Sequence, residues 1–74
     1  MSRESGRVEE AVYEIRVKGL LDRSWSEWLG GLEIDPLENG ETVLAGPIRD
    51  QSALHGLLNK IRDLGLPLIA VEQR

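Results

Sequence analysis

The chain has 74 residues, with one histidine, no cysteine, 13 acidic residues and 9 basic residues, which give a net charge of −4. This length allows one domain, and the lack of cysteine excludes disulfides and thiolate metal sites, so we expect no metal and no cofactor. The excess of acidic residues argues against nucleic acid or an anionic membrane as the main partner, because binding to either usually needs a basic surface.

Residues 1–10 are polar and charged without periodicity, which predicts a flexible tail before a single domain over residues 11–74. This N-terminal stretch lacks the apolar region of a secretory signal, and no apolar run approaches the about 20 residues of a membrane span, so we expect a cytoplasmic protein. The next segment alternates like a half-buried strand. Its apolar set is Tyr13, Ile15 and Val17, and its polar set is Glu14, Arg16 and Lys18.

The segment LLDRSWSEWLGG, residues 20–31, contains both tryptophans of the chain. Ser24 and Glu27 have the spacing of a capping box, which predicts a helix of little more than one turn, ending at the double glycine. Trp25 and Trp28 have helical spacing, and two interpretations of them are open. They close one end of a small core, or they form a stacking surface for a ligand or partner.

Two further strands follow, joined by a hairpin. Residues 32–37 alternate between apolar and polar side chains, with Leu32 and Ile34 predicted to point inward. Pro36 indicates the end of the strand or an edge position. Asn39-Gly40 is a strong signal for a tight hairpin turn, because both residue types tolerate positive φ. The third strand is predicted over residues 42–46, ending at a Gly-Pro turn.

The clearest element is an amphipathic helix that begins after Asp50 and ends before Gly65. Its apolar residues have one-sided helical spacing, and they are Leu54, Leu57, Leu58, Ile61 and Leu64. Asp50 is expected to cap the first turn, and Gly65 is expected to end the helix in a Schellman motif with Leu66 against Ile61. Residues 68–71 form an apolar run without alternation, which predicts a strand covered on both faces.

The predicted order is strand, short helix, two strands, long helix, strand. It defines an α+β fold, with a four-stranded, mostly antiparallel sheet and one long helix on one face. Two architectures fit this order. In the ferredoxin-like split βαβ arrangement the tryptophan segment is a true crossover helix, whereas in the other the first three strands form a meander and the long helix returns the fourth strand beside the first. A crossover usually needs about a dozen residues, and the tryptophan segment barely reaches that length, so we slightly favour the meander.

Few residues suggest chemistry. His55 shares the helix surface with Gln51 and Ser52, but a nucleophilic triad would also need an oxyanion hole and a recess, so no catalytic residue is assigned. Gly56 costs about 1 kcal/mol relative to alanine in a helix interior. This cost indicates that a tryptophan ring or another chain approaches the helix there, or that the glycine is simply tolerated.

Two hypotheses of function come from different classes. The first is a non-enzymatic interaction module that forms a homodimer through the sheet face opposite the helix or the Gly56 side of the helix. Its further partner is another protein or a small regulatory ligand. The second is a small-ligand or enzymatic site bounded by Trp25, Trp28, Gln51 and His55. Nucleic-acid binding is a weaker third reading, which would need a local basic patch formed by Arg16, Lys18, Arg49, Lys60 and Arg62.

Two segments carry a resemblance to a known family. The first, RSWSEWLGGLEI, contains Trp25, Trp28, Gly31 and Leu32, and the second is LAGPIRDQSALHGLLNKIRDLGLPLIAV. Together they resemble a family of small uncharacterised prokaryotic proteins with a DQ-x-x-LHG-x-L-x-x-I-RDLGL motif, over roughly residues 12–71. The resemblance implies a self-contained domain without an established activity, and it singles out Gln51, His55 and Gly56 as residues to test.

Overall fold

The computed structural model describes residues 11–74, so the predicted flexible tail lies outside the described residues. The elements in chain order are β1 (Ala11–Lys18), a 3₁₀ turn (Arg23–Trp25), β2 (Glu33–Pro36), β3 (Glu41–Ile48), α1 (Gln51–Asp63) and β4 (Leu68–Gln73). One four-stranded sheet and one long helix make this an α+β fold, as predicted.

The four strands are all antiparallel to their neighbours, in the order β2-β3-β1-β4. The slightly favoured meander is therefore wrong, because β1 pairs with β3 and β4 and not with β2. The order is that of the split βαβ arrangement. The connection over residues 19–32 is long enough to cross from β1 to β2, and length is what a crossover requires even when most of the connection is not helical.

The inner face of the sheet carries the core, as the alternation in β1 predicts. Ile15 and Val17 are completely buried there, and Tyr13 is partly buried at the end of the same row. The other core residues come from β2, β3, α1 and the crossover connection, and they are Leu21, Leu29, Leu32, Ile34, Leu44, Ile48, Leu57 and Ile61. Glu14, Arg16 and Lys18 point to the opposite face.

Thr42 is the one buried polar residue among residues 11–74. Its hydroxyl donates to the Gly19 carbonyl oxygen at 2.7 Å and accepts the backbone N–H of Leu21 at 3.1 Å. The hydroxyl thus supplies the hydrogen bonds that a neighbouring strand would otherwise give to the first residues of the crossover connection, just after β1 ends. Both backbone groups are satisfied, as burial requires.

Both ends of α1 form as predicted. Asp50 accepts the backbone N–H of Ala53 at 2.8 Å, which satisfies one unpaired donor of the first turn. At the other end Gly65 has a φ of 78°, and the Leu66 N–H donates to the Ile61 carbonyl at 3.3 Å. This six-to-one bond defines the Schellman motif.

The hairpin between β2 and β3 forms, although its turn differs from the one expected for Asn39-Gly40. Leu37 and Glu41 close the loop, and Gly40 has positive φ while Asn39 does not. The loop is therefore a turn followed by a left-handed glycine, a common three-residue hairpin connection. The carbonyl oxygen of the Asn39 side chain accepts the Glu41 N–H at 3.0 Å.

Strand β3 is longer than predicted, because Gly46 and Pro47 lie inside it and not in a turn. Val12 of β1 is opposite Pro47, while β2 pairs no further than Ala45. The side of β3 that would need the proline N–H is therefore free of a neighbouring strand, and a proline is tolerated in such a position. Gly46 lies in close packing, since a Cβ there would lie 2.7 Å from Leu32 Cδ2 and 3.5 Å from Leu32 Cα.

Candidate interaction site

The two tryptophans form an exposed pair in the middle of the crossover connection. Their ring centroids are 5.5 Å apart at an interplanar angle of 72°, and Trp25 and Trp28 remain 40% and 42% exposed. Lys60 Nζ donates to the Trp28 carbonyl at 2.9 Å and lies 5.2 Å from the centroid of its ring. The indoles therefore do not close the core. That role belongs to the buried side chains of Leu21 and Leu29.

The predicted capping box at Ser24 is also wrong, because the cap is Asp22, two residues earlier. Asp22 accepts the backbone N–H of Ser24 and the hydroxyl of the same residue. The hydroxyl bond, with help from the backbone bond, lowers the pKa of the fully exposed Asp22 carboxyl below its ordinary value. The helix that this cap starts is a single 3₁₀ turn, since the following residues continue as turns up to the double glycine.

Gln51 and His55 lie on the exposed surface of α1. Neither side chain makes a hydrogen bond to another residue between positions 11 and 74. Among the surface recesses of this part of the chain are four of about 310 to 450 Å³, and none of these four is lined by Gln51, His55, Trp25 or Trp28. A ligand-binding role for these four residues stays a prediction.

Gly56 leaves an open depression on the helix. No atom of the described chain outside the helix backbone lies within 4 Å of a Cβ placed at this position, so the expected approach of a tryptophan ring does not occur. The depression is part of a shallow recess of about 310 Å³, lined by Leu29, Gly30, Ala53, Gly56, Leu57 and Lys60. Either the glycine is tolerated or another chain occupies this space.

The outer face of the sheet is covered by charged side chains. Arg16 contacts Glu41 at 3.3 Å, and Arg74 contacts Glu14 at 3.0 Å. Val43 lies directly opposite Arg16 in the register, so the long stem of the arginine lies beside the apolar side chain. Charges and their stems therefore occupy the face that the sequence offered as a dimer surface.

Strand β4 is the most exposed apolar element in residues 11–74. Leu68, Ile69 and Val71 are 49%, 46% and 36% exposed, and no residue of the strand is buried. The prediction of a strand covered on both faces is thus wrong. The reason is position: β4 is an edge strand, and α1 packs closer to β3 than to β4.

The backbone of β4 also faces solvent along its outer edge. The Arg74 N–H donates to the Val12 carbonyl at 2.7 Å. This bond shows which residues of β4 direct their backbone N–H and C=O groups toward β1. Because antiparallel pairing alternates, the N–H and C=O groups of Ala70 and Glu72 point inward, and those of Val71 and Gln73 point outward. No other strand of the described residues reaches this edge, so the outward groups have no strand partner.

The opposite edge of the sheet, at β2, is protected. Leu37 donates to the Glu41 carbonyl, so Ile34 and Pro36 direct their backbone toward the outside, and a proline has no N–H to offer. The crossover connection lies beside this edge, where Arg23 approaches Asp35 at 3.6 Å. Edge strands are commonly protected by proline, charge or a covering loop. Edge β2 has all three, and the apolar stretch of β4 has none of them.

The fold and this edge together define a small α+β domain with one open sheet edge. The family model described as a domain of unknown function, DUF8691, matches residues 12–72, and the chain belongs to this family. No curated protein and no solved structure matches the chain. No helix of residues 11–74 is long and apolar enough to cross a membrane. The cytoplasmic location and the motif of the resembled family stay predictions.

Proposed function

We propose that the domain is a non-enzymatic interaction module that self-associates as a homodimer through β4. The observation that supports this proposal is the exposure of three large apolar side chains, Leu68, Ile69 and Val71, next to one another on an edge strand. Long apolar edges attract further chains, so proteins that expose them usually pair them.

Covering the exposed apolar side chains of β4 would stabilise an assembly. Fully burying a leucine, isoleucine or valine side chain contributes about 1.5–3 kcal/mol. Each of the three side chains on β4 is between one third and one half exposed, so covering it would add roughly 0.5–1.5 kcal/mol per residue and per subunit. A chain of 74 residues has a small core, and a dimer would supply apolar burial that the monomer lacks.

The two surfaces named from the sequence are less suited to this role. The outer sheet face is covered by the Arg16–Glu41 and Arg74–Glu14 contacts, which a partner would have to desolvate. The recess beside Gly56 is shallow, with Lys60 at its margin. Neither presents adjacent large apolar side chains that are exposed to the same degree.

The test is sedimentation equilibrium up to roughly millimolar protein, because a short interface supports only weak association. Three variants address the three surfaces. Val71→Lys places a charge on the β4 edge, Gly56→Leu fills the recess on the helix, and Ala45→Lys changes the outer face. Ala45 is a matched position because it lies between Glu14 and Glu33 in the register, where a lysine finds opposite charges.

We expect a wild-type dimer that Val71→Lys abolishes and that the other two variants retain, with native circular dichroism in all three. A dimer lost in Gly56→Leu or in Ala45→Lys, and kept in Val71→Lys, would move the interface to the helix or to the outer face. A wild-type chain that stays monomeric over the whole concentration range would refute self-association.

A further inference from the structure

We infer that the two copies associate by strand pairing. The β4 strands form an antiparallel pair about a two-fold axis perpendicular to the sheet, with Val71 opposite its own copy. This inference rests on the proposed self-association and adds the mode of contact. Its product is one continuous eight-stranded sheet with both α1 helices on the same face.

The backbone of β4 favours association by strand pairing over association through side chains alone. The N–H and C=O groups of Val71 and Gln73 point away from β1, and no strand of the described residues accepts them. In a pair centred on Val71, the two copies of this residue exchange two N–H···O=C bonds. The Gln73 groups then point toward the beginning of β4 in the second copy, where the pair can be extended.

Symmetry restricts the register. Residues directly opposite each other in an antiparallel pair have their side chains on the same face of the sheet. Because neighbouring residues alternate between the faces, a two-fold axis perpendicular to the sheet must pass beside one residue that lies opposite its own copy. With Glu72 on the axis two carboxylates would face each other, which is unfavourable. With Ala70 on the axis the hydrogen-bonded pair would be Val71 with Ile69, and Ile69 lies at the irregularity where β4 shifts its register against β1. With Val71 on the axis, the central pairs use only the regular residues 70–72.

The charges on the outer face agree with the Val71 register. Within one chain Glu72 lies opposite Glu14, and its carboxylate has no ion pair with any residue from 11 to 74. In the dimer Glu72 would lie opposite Ala70 of the second copy, whose neighbour on β1 is Arg16. Because the alanine is short, the arginine and the glutamate can meet above it. The same contact is repeated across the axis.

On the inner face the register extends the core. Val71 lies opposite Ile15 in the β1–β4 pairing, and Ile15 is completely buried. Placing two Val71 side chains next to each other would give a continuous row of four β-branched residues across the two copies. Pairs of β-branched residues across strands are favourable, and they would cover the exposed part of Val71.

The experiment uses wild type and two cysteine variants, which are unambiguous because the chain has no cysteine. Hydrogen-bonded partners in an antiparallel pair have Cα atoms about 5.5 Å apart, a separation that a disulfide can span. We expect Val71→Cys to give a disulfide-linked dimer under mild oxidation. Two Ala70 residues would be roughly 8 Å apart in the same register, beyond the reach of a disulfide, so Ala70→Cys serves as the matched control.

Amide hydrogen exchange of the wild type tests the pairing without any substitution. The Val71 N–H should be protected at high protein concentration and should lose this protection on dilution, whereas the Ala70 and Glu72 N–H groups, which point toward β1, should be protected at both. A dimer in which the Val71 N–H exchanges freely would refute strand pairing while self-association survives. A disulfide in Ala70→Cys but not in Val71→Cys would refute the register. A monomeric wild type would refute the proposed function itself.

Discussion

The hydroxyl of Thr42 allows the sharpest prediction about stability. Thr42→Val keeps the shape of the side chain and removes both of its hydrogen bonds, to the Gly19 carbonyl and the Leu21 N–H. Leaving a buried backbone group unpaired costs about 1–3 kcal/mol. The bond to the Leu21 N–H is buried and the bond to the Gly19 carbonyl is partly buried, so the two losses together come to about 3 kcal/mol, of which the added methyl group recovers about 0.8 kcal/mol. We expect Thr42→Val to lower the free energy of unfolding by about 2 kcal/mol.

The assay is urea unfolding followed by tryptophan fluorescence, with thermal unfolding alongside it. In a domain of this size, about 2 kcal/mol corresponds to roughly 8–16 °C in Tm. Thr42→Ser is the matched control, because it keeps the hydroxyl and deletes one methyl group, at a cost of about 1 kcal/mol. If Thr42→Val were as stable as wild type, or more stable than Thr42→Ser, the two hydrogen bonds would not hold the crossover connection to β3.

Three further predictions concern the glycines and the 3₁₀ turn. Gly56→Ala should raise the free energy of unfolding by about 1 kcal/mol, because space is open there and alanine favours a helix; weaker association of the variant in sedimentation would instead indicate a partner at this site. Gly46→Ala should lower stability by about 1–3 kcal/mol in urea unfolding, since its Cβ would overlap Leu32, and an unchanged midpoint would contradict this packing. Ser24→Ala should raise the Asp22 pKa toward its ordinary value in a carboxyl NMR titration. Because the folded pKa is lowered, the ionised cap stabilises the native state above the ordinary aspartate pKa, and this contribution disappears as the pH falls through the folded pKa. An unchanged titration in the variant would contradict the role of the hydroxyl.

The helix and its two ends could be predicted from the sequence because their signals are local. Asp50 caps a turn that begins within three residues of it, and Gly65 ends the helix through bonds to carbonyls only a few residues before it. The alternation in β1 was equally informative, since a period of two places the apolar residues of a strand on one face of the sheet whichever strands lie beside it. Such features depend on residues close together in the chain.

Strand order and the exposure of β4 could not be predicted from such local signals. Both depend on which strands become neighbours, and the apolar run over residues 68–71 looks the same whether the strand is central or at an edge. The tryptophan segment alone barely reaches the length that a crossover needs, whereas the whole connection over residues 19–32 is long enough to cross from β1 to β2. Thr42 gave no signal either, because a threonine in a strand is ordinary until its partners are known.

The candidate site in the structure differs from the one predicted from the sequence for the same reason. Gly56 was singled out as a position that a tryptophan ring or another chain approaches, and the structure leaves an open depression there. The exposed edge, however, lies in the segment that the sequence assigned to the core. The polar ending of β4, at Glu72 and Gln73, is the one sequence feature that hinted at an exposed strand.

The unequal protection of the two sheet edges has a consequence for how far assembly can proceed. If β2 were as open as β4, each added copy would expose a fresh edge, and the sheet could grow into a fibre. With Pro36 and the crossover connection blocking β2, each copy has a single usable edge, and that edge is consumed when two copies meet. Under the proposed pairing, assembly through β4 would stop at two copies, and substitutions that open β2 are the ones expected to let the sheet grow further.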